Sequence, residues 1–153
     1  MKAVLLIVKE EESDYVLATT LKQKIQIASR ISVIVSYMER NTLKKDLQIF
    51  QNKGINHVLV IPVNFSSMED YLPTKSKVKD LANAFLDLKL DFINDFFTNK
   101  KFLKRFVKNA ILDKAEDVMF RISSTQEISA QAEGITFLID HWRIVDFKSG
   151  IAQ

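Results

Sequence analysis

Residues Ala3 to Val8 (AVLLIV) are apolar without a break, and the next four, Lys9 to Glu12, all carry charge. A short unbroken apolar run is the pattern of a strand buried on both faces of a parallel sheet. It recurs at Ile31 to Val35 (ISVIV) and His57 to Val63 (HVLVIPV), and more weakly at Leu88 to Ile93 (LKLDFI). Helical spacing fills the intervals. Ser13 or Asp14 caps a helix over roughly 14–29, in which Val16, Leu17, Leu21, Ile25 and Ala28 recur. Asn41 and Thr42 start a short helix carrying Leu43, Leu47 and Phe50, and Gly54 ends it at C′. Asn64 to Thr74 (NFSSMEDYLPT) reads as an irregular loop, after which Ser76 caps a helix to about Leu86. Thr98 or Asn99 opens a longer helix through Phe102, Phe106 and Ile111 toward Val118. Strand and helix alternate four times. The pattern predicts an α/β domain in three layers, with a four-stranded parallel sheet of flavodoxin-like type.

Beyond Arg121 the pattern changes. Ser124 and Glu127 form a capping box for a short helix ending at Gly134. Ile135 to Phe147 (ITFLIDHWRIVDF) is rich in β-branched and aromatic residues and reads as strand. Residues 1–122 are therefore expected to form the α/β domain, and 123–153 a C-terminal β extension packed on it or on a partner subunit.

Composition narrows the function classes. The 153 residues include no cysteine, which removes disulfides, thiolate nucleophiles and Cys-type zinc sites together. No apolar run approaches the ~20 residues that span a bilayer, and no secretory leader is recognisable, so a cytoplasmic protein is expected. Basic and acidic side chains number 22 and 19, too balanced to imply nucleic-acid binding. With three glycines, the chain has neither GxGxxG nor GxxxxGK[ST], so dinucleotide and P-loop fingerprints are absent. There is also no GxSxG elbow for Ser-His-Asp hydrolysis.

In open α/β sheets ligands bind beyond the carboxyl ends of the strands. Three segments should meet there: Lys9 to Ser13 (KEEES), Ser36 to Arg40 (SYMER), and the Asn64 to Thr74 loop. They supply the acids Glu10, Glu11, Glu12, Glu39, Glu69 and Asp70, the cations Lys9 and Arg40, and the flat or soft side chains Tyr37, Phe65 and Met68. That mixture suits a planar ligand together with a divalent cation. The plain reading of KEEES is acids favouring a helix N-terminus.

The stretch Leu43 to Pro73, LKKDLQIFQNKGINHVLVIPVNFSSMEDYLP, resembles the sirohydrochlorin chelatase family, the small class II cobalto- and ferrochelatases. Gly54-Ile55-Asn56-His57-Val58 follows that family's G-(A/C)-(D/N)-x-(I/V), Val60-Ile61-Pro62-Val63 its strand ending in P-(V/L)-F, and Asp70-Tyr71-Leu72-Pro73 its D-(I/L)-P. At the level of elements the resemblance covers roughly residues 3–118. It departs where the chemistry lies. The family's G-H-G-S after the first strand is replaced by Lys9 to Ser13, and its G-x-H in the third loop has no counterpart in Phe65 to Glu69.

The resemblance implies divalent metal insertion into a tetrapyrrole in sirohaem or cobalamin synthesis, with Co²⁺ or Fe²⁺ as substrate and no tightly bound cofactor. Glu10 and Glu11 would be metal ligand and base, and Lys9, Tyr37, Arg40, Phe65, Ser66 and Asp70 would meet the tetrapyrrole. A homodimer would complete the cleft; neither nucleic acid nor membrane is expected as a partner. Imidazole suits both ligation and proton transfer near neutral pH, so losing the family histidines implies weak or lost activity. The alternative is a non-catalytic descendant that binds a tetrapyrrole or a protein. The remaining histidines lie elsewhere: His57 opens the third strand as a surface or edge residue, and His141 sits beside Trp142. Lys100, Lys101, Lys104, Arg105 and Lys108 read as a solvated basic stripe.

Overall fold

The computed structural model describes residues 1–95, 109–120, 128–146 and 151–152. Four strands form one all-parallel sheet: β1 (Lys2–Val8), β2 (Ser32–Tyr37), β3 (His57–Val63) and β4 (Lys89–Phe92), in the spatial order β2-β1-β3-β4. The chain moves outward from β1 to β2 and then returns past β1 to β3. Strand order therefore reverses between β1 and β3, the switch point of a doubly wound fold.

Five α-helices are present among the described residues: α1 (Glu11–Ser29), α2 (Leu43–Asn52), α3 (Met68–Ala82), α4 (Asn109–Phe120) and α5 (Ile128–Ile144). The alternation of side chains along each strand sorts them into layers. Val4, Leu6 and Val8 point to one face, where they join Leu59, Ile61 and Val63 against residues of α1, α4 and α5. Ala3, Leu5 and Ile7 point to the other and meet Leu43, Leu47, Phe50, Tyr71 and Val78 of α2 and α3. All six apolar residues of β1 are fully buried, which explains the uninterrupted run that opens the sequence. Each of the larger ones is worth about 1.5–3 kcal/mol in removal from water. The three-layer α/β expectation holds.

Several boundaries differ for identifiable reasons. Helix α1 starts at Glu11, with Glu10 in extended conformation at the N-cap, so Ser13 and Asp14 lie inside the first turn. Gly54 follows α2 with φ 75°, the left-handed C′ position assigned to it. The loop expected through Thr74 is shorter, because Ser67 caps α3 by accepting from the Asp70 amide at 3.1 Å. Pro73 falls within that helix.

The largest correction concerns Ile135 to Ile144, which is helix rather than strand, and Gly134 lies within α5 rather than at its end. Ile128, Ala132, Ile135, Leu138, Ile139 and Trp142 are all buried, at the 3–4 residue spacing of one helical face. Packing of that face against α1 and α4 outweighs the strand preference of the individual residues. Beyond it, Val145–Asp146 and Ile151–Ala152 pair as a two-residue antiparallel ladder, β5 and β6. The helix expected from residue 98 is seen from Asn109, and residues 98–108, with the basic stripe, lie outside the described residues. No helix among the described residues is long and apolar enough to cross a membrane.

Candidate functional site

Because the strands are parallel, the segments following β1, β2 and β3 all emerge at one edge of the sheet. Lys9, Glu10, Glu11, Tyr37, Arg40, Phe65, Ser66 and Asp70 are thus all at that edge, and most are engaged with one another. Lys9 Nζ forms an ion pair with Asp70 Oδ1, linking the end of β1 to the first turn of α3, and lies 5.6 Å from the Phe65 ring centroid. Asp70 Oδ2 accepts from the Ser66 amide at 3.2 Å. The Lys9 bond, then the Ser66 amide, hold the Asp70 carboxyl below its usual range, which makes it a weaker base.

The second group of contacts ties β1 to β2. Arg40, in a single 3₁₀ turn over Met38–Arg40, pairs with Glu11 Oε2. Glu39 Oε1 accepts from the Glu11 amide at 2.5 Å, and the Glu39 amide donates to the Lys9 carbonyl at 3.2 Å. A carboxylate from another segment thus caps the positive end of α1. Glu10 Oε2 accepts from the Ser13 hydroxyl at 3.1 Å. The plain reading of KEEES, as acids serving a helix N-terminus, fits these contacts.

The switch point is bridged by the chain itself. Asn64 and Phe65 donate their amides to the carbonyls of Val118 and Met119 at 2.8 and 2.9 Å, which seats the end of α4 on the exit of β3. The Asn64 side-chain amide donates to Asp14 Oδ1 at 2.9 Å, with Asn64 itself at φ 58°. Asp14 is buried, so this bond satisfies a carboxylate that solvent barely reaches. Phe65 is in the core, edge-on to Tyr71 with ring centroids 5.1 Å apart. Among the described residues the buried Tyr37 hydroxyl has no hydrogen-bond partner; burial, with Glu11 and Tyr15 nearby, raises its pKa.

Outside these contacts, a shallow depression of ≈ 410 Å³ is lined by Glu11, Glu12, Tyr15 and Glu39. Among the described residues no group of three or more His, Asp or Glu side chains is placed to hold a metal ion. No family model, curated protein or solved structure matches the chain.

A second polar cluster, missed in the sequence, lies along the opposite half of the sheet. His57 Nε2 is 2.6 Å from Asp91 Oδ2, and since a carboxylate only accepts, Nε2 carries the proton. Trp142 Nε1 donates to the same oxygen at 2.9 Å and meets the His57 ring edge-on at 4.9 Å. Lys2 Nζ lies 4.8 Å from the Trp142 ring centroid and donates to the Arg143 carbonyl at 3.3 Å. Burial lowers the pKa of Lys2, with Asp91 opposing the shift. Burial of Asp91 disfavours its charge, but the bonds from His57 and Trp142 outweigh this and its pKa is lowered. The cluster fastens α5 to the sheet. His141 instead stacks on Phe137 at 4.9 Å. Residues 57, 91 and 142 are far apart in sequence, so no local spacing announces them.

Proposed function

We propose that the chain is a non-catalytic binding domain, a chelatase-like α/β unit whose carboxyl-edge charges serve its own architecture, and that it binds a protein. The observation carrying this reading is the pairing of Lys9 with Asp70 and of Arg40 with Glu11, together with the capping of α1 by Glu39. Lys9, Asp70, Arg40 and Glu11, four of the side chains that would meet a tetrapyrrole or take up its protons, are engaged in these contacts. The exposed remainder of the edge, Glu12 and Glu39 beside Tyr15, is acidic. Such a surface repels a ligand rich in carboxylates and suits a protein surface bearing cations. Anaerobic titration with sirohydrochlorin tests the reading: neither binding nor accelerated insertion is expected.

A second reading, a sirohydrochlorin chelatase with Co²⁺ or Fe²⁺ as substrate, is favoured by one feature. The three segments holding the residues that the resemblance implicates emerge at a single edge. In that case one of Glu10 and Glu11 holds the metal while the other accepts the two pyrrole protons in turn, passing each to solvent, and Glu11 must first leave Arg40. Insertion faster than the protein-free control, lost on Glu10→Ala/Glu11→Ala, would establish it.

A further inference from the structure

Strand β2 ends the sheet, pairing only with β1 among the described residues. Natural edge strands are usually blunted by charges, prolines or bulges. The other edge, β4, follows this rule with Lys89 and Asp91 in four residues. β2 does not: its sequence, SVIVSY, holds neither charge nor proline, and Ile34 and Val35 at its centre are only partly buried.

The surroundings of this edge are polarised. At its carboxyl end lies the depression lined by Glu11, Glu12, Tyr15 and Glu39. At its amino end a hollow of ≈ 320 Å³ is lined by Lys22 and Gln26 of α1, by Ser32 and Ile34, and by Ile49 and Lys53 from the α2 side. Glu11, Tyr15, Lys22 and Gln26 fall on one flank of α1 by helical spacing, acidic at one end and basic toward the other. That flank extends ~22 Å, close to the ~20 Å of the six-residue strand beneath it.

We propose that β2 is the interface with a second copy of this chain, paired antiparallel to its counterpart about a two-fold axis, so that two four-stranded sheets become one. The two-fold reverses the edge, which brings the Glu11–Glu12–Glu39 corner of each copy against the Lys22–Lys53 hollow of the other. An isologous interface requires such self-complementarity. The pleat restricts the register further. Matching faces stay together only if the axis passes through a residue, and Ile34 and Val35 are the central choices. Helices α1 then flank one another on one side of the joined sheet and α2 on the other. The proposal deepens the reading of the chain as a protein-binding domain by naming a partner, and its failure would leave the tetrapyrrole titration untouched.

The test is sedimentation of the full chain up to about 1 mM, a concentration that reveals even weak association. A species of twice the 17.6 kDa chain mass is expected, weakened by salt. Lys22→Glu alone and Glu12→Lys alone should each weaken dimerisation about tenfold or more, because each sets like charges across the two-fold. The combined Glu12→Lys/Lys22→Glu variant should restore it, which a mere folding defect would not do. Hydrogen exchange should show β2 amides more protected in concentrated than in dilute solution. A single 17.6 kDa species throughout would overturn the proposal. So would a dimer whose β2 amides exchange alike at both concentrations, or one that the combined variant does not recover.

Discussion

Asp91→Ala tests the account of how α5 is held. The substitution removes the oxygen to which both His57 Nε2 and Trp142 Nε1 donate, at 2.6 and 2.9 Å. Trp142 is almost fully buried, so its N–H is left without an acceptor and without water. A buried unsatisfied donor costs about 1–3 kcal/mol, and a charged hydrogen bond such as that from His57 contributes about 1.5–3 kcal/mol. Both bonds share one atom and are not independent, so the combined loss is about 2–4 kcal/mol. With a urea m-value of about 2 kcal/mol/M, the midpoint should fall by about 1–2 M. Trp142 is the only tryptophan, so its fluorescence reports this corner directly, with far-UV circular dichroism as an independent probe.

The pH dependence follows from the lowered pKa of Asp91. Between its lowered folded value and the unfolded value of about 3.9, the unfolded chain binds more protons than the folded one. The contribution of Asp91 is therefore complete above that unfolded value and is lost as pH falls through the folded one. The gap between wild type and Asp91→Ala should narrow as the solution is acidified below about pH 4. A midpoint within about 0.3 M of wild type at neutral pH, or a gap independent of pH, would mean that Asp91 does not hold α5 in this way.

Other outcomes follow from single contacts. Ser67→Ala removes the acceptor for the Asp70 amide and should cost about 0.5–2 kcal/mol, read as a lower urea midpoint. Gly54→Ala should cost about 1–2 kcal/mol from backbone strain at φ 75°, since an added Cβ meets nothing within 4 Å; a neutral effect would contradict that origin. Lys9→Met should move the Asp70 pKa, followed by carboxyl NMR, upward toward its ordinary value, and no movement would deny the Lys9 contact its leading role.

The sheet was legible because strands buried on both faces leave a signal that needs no partner: β3 falls on the residues read from HVLVIPV. Gly54 was legible for a similar reason, as a local backbone requirement. Helix α5 was not. Its 3–4 residue spacing runs through Gly134 and through residues that individually favour strands, and only packing on α1 and α4 decides between the two periods. The start of α3 lies inside the stretch read as an irregular loop through Thr74, where Ser67 caps the helix by accepting from the Asp70 amide. The segments after β1, β2 and β3 share an edge because topology alone does that. What they do there was not legible, because pairing of Lys9 with Asp70 and of Arg40 with Glu11 depends on side-chain reach across three connections. Sequence order carries no record of it.

The central claim is that these charges serve the fold rather than a reaction. Its most direct test is the anaerobic absorption titration of the full chain with sirohydrochlorin, with and without Co²⁺ or Fe²⁺. If these charges serve the fold, the spectrum is unchanged by the protein and the metal-insertion rate equals the protein-free control. Accelerated insertion that disappears in Glu10→Ala/Glu11→Ala would contradict it.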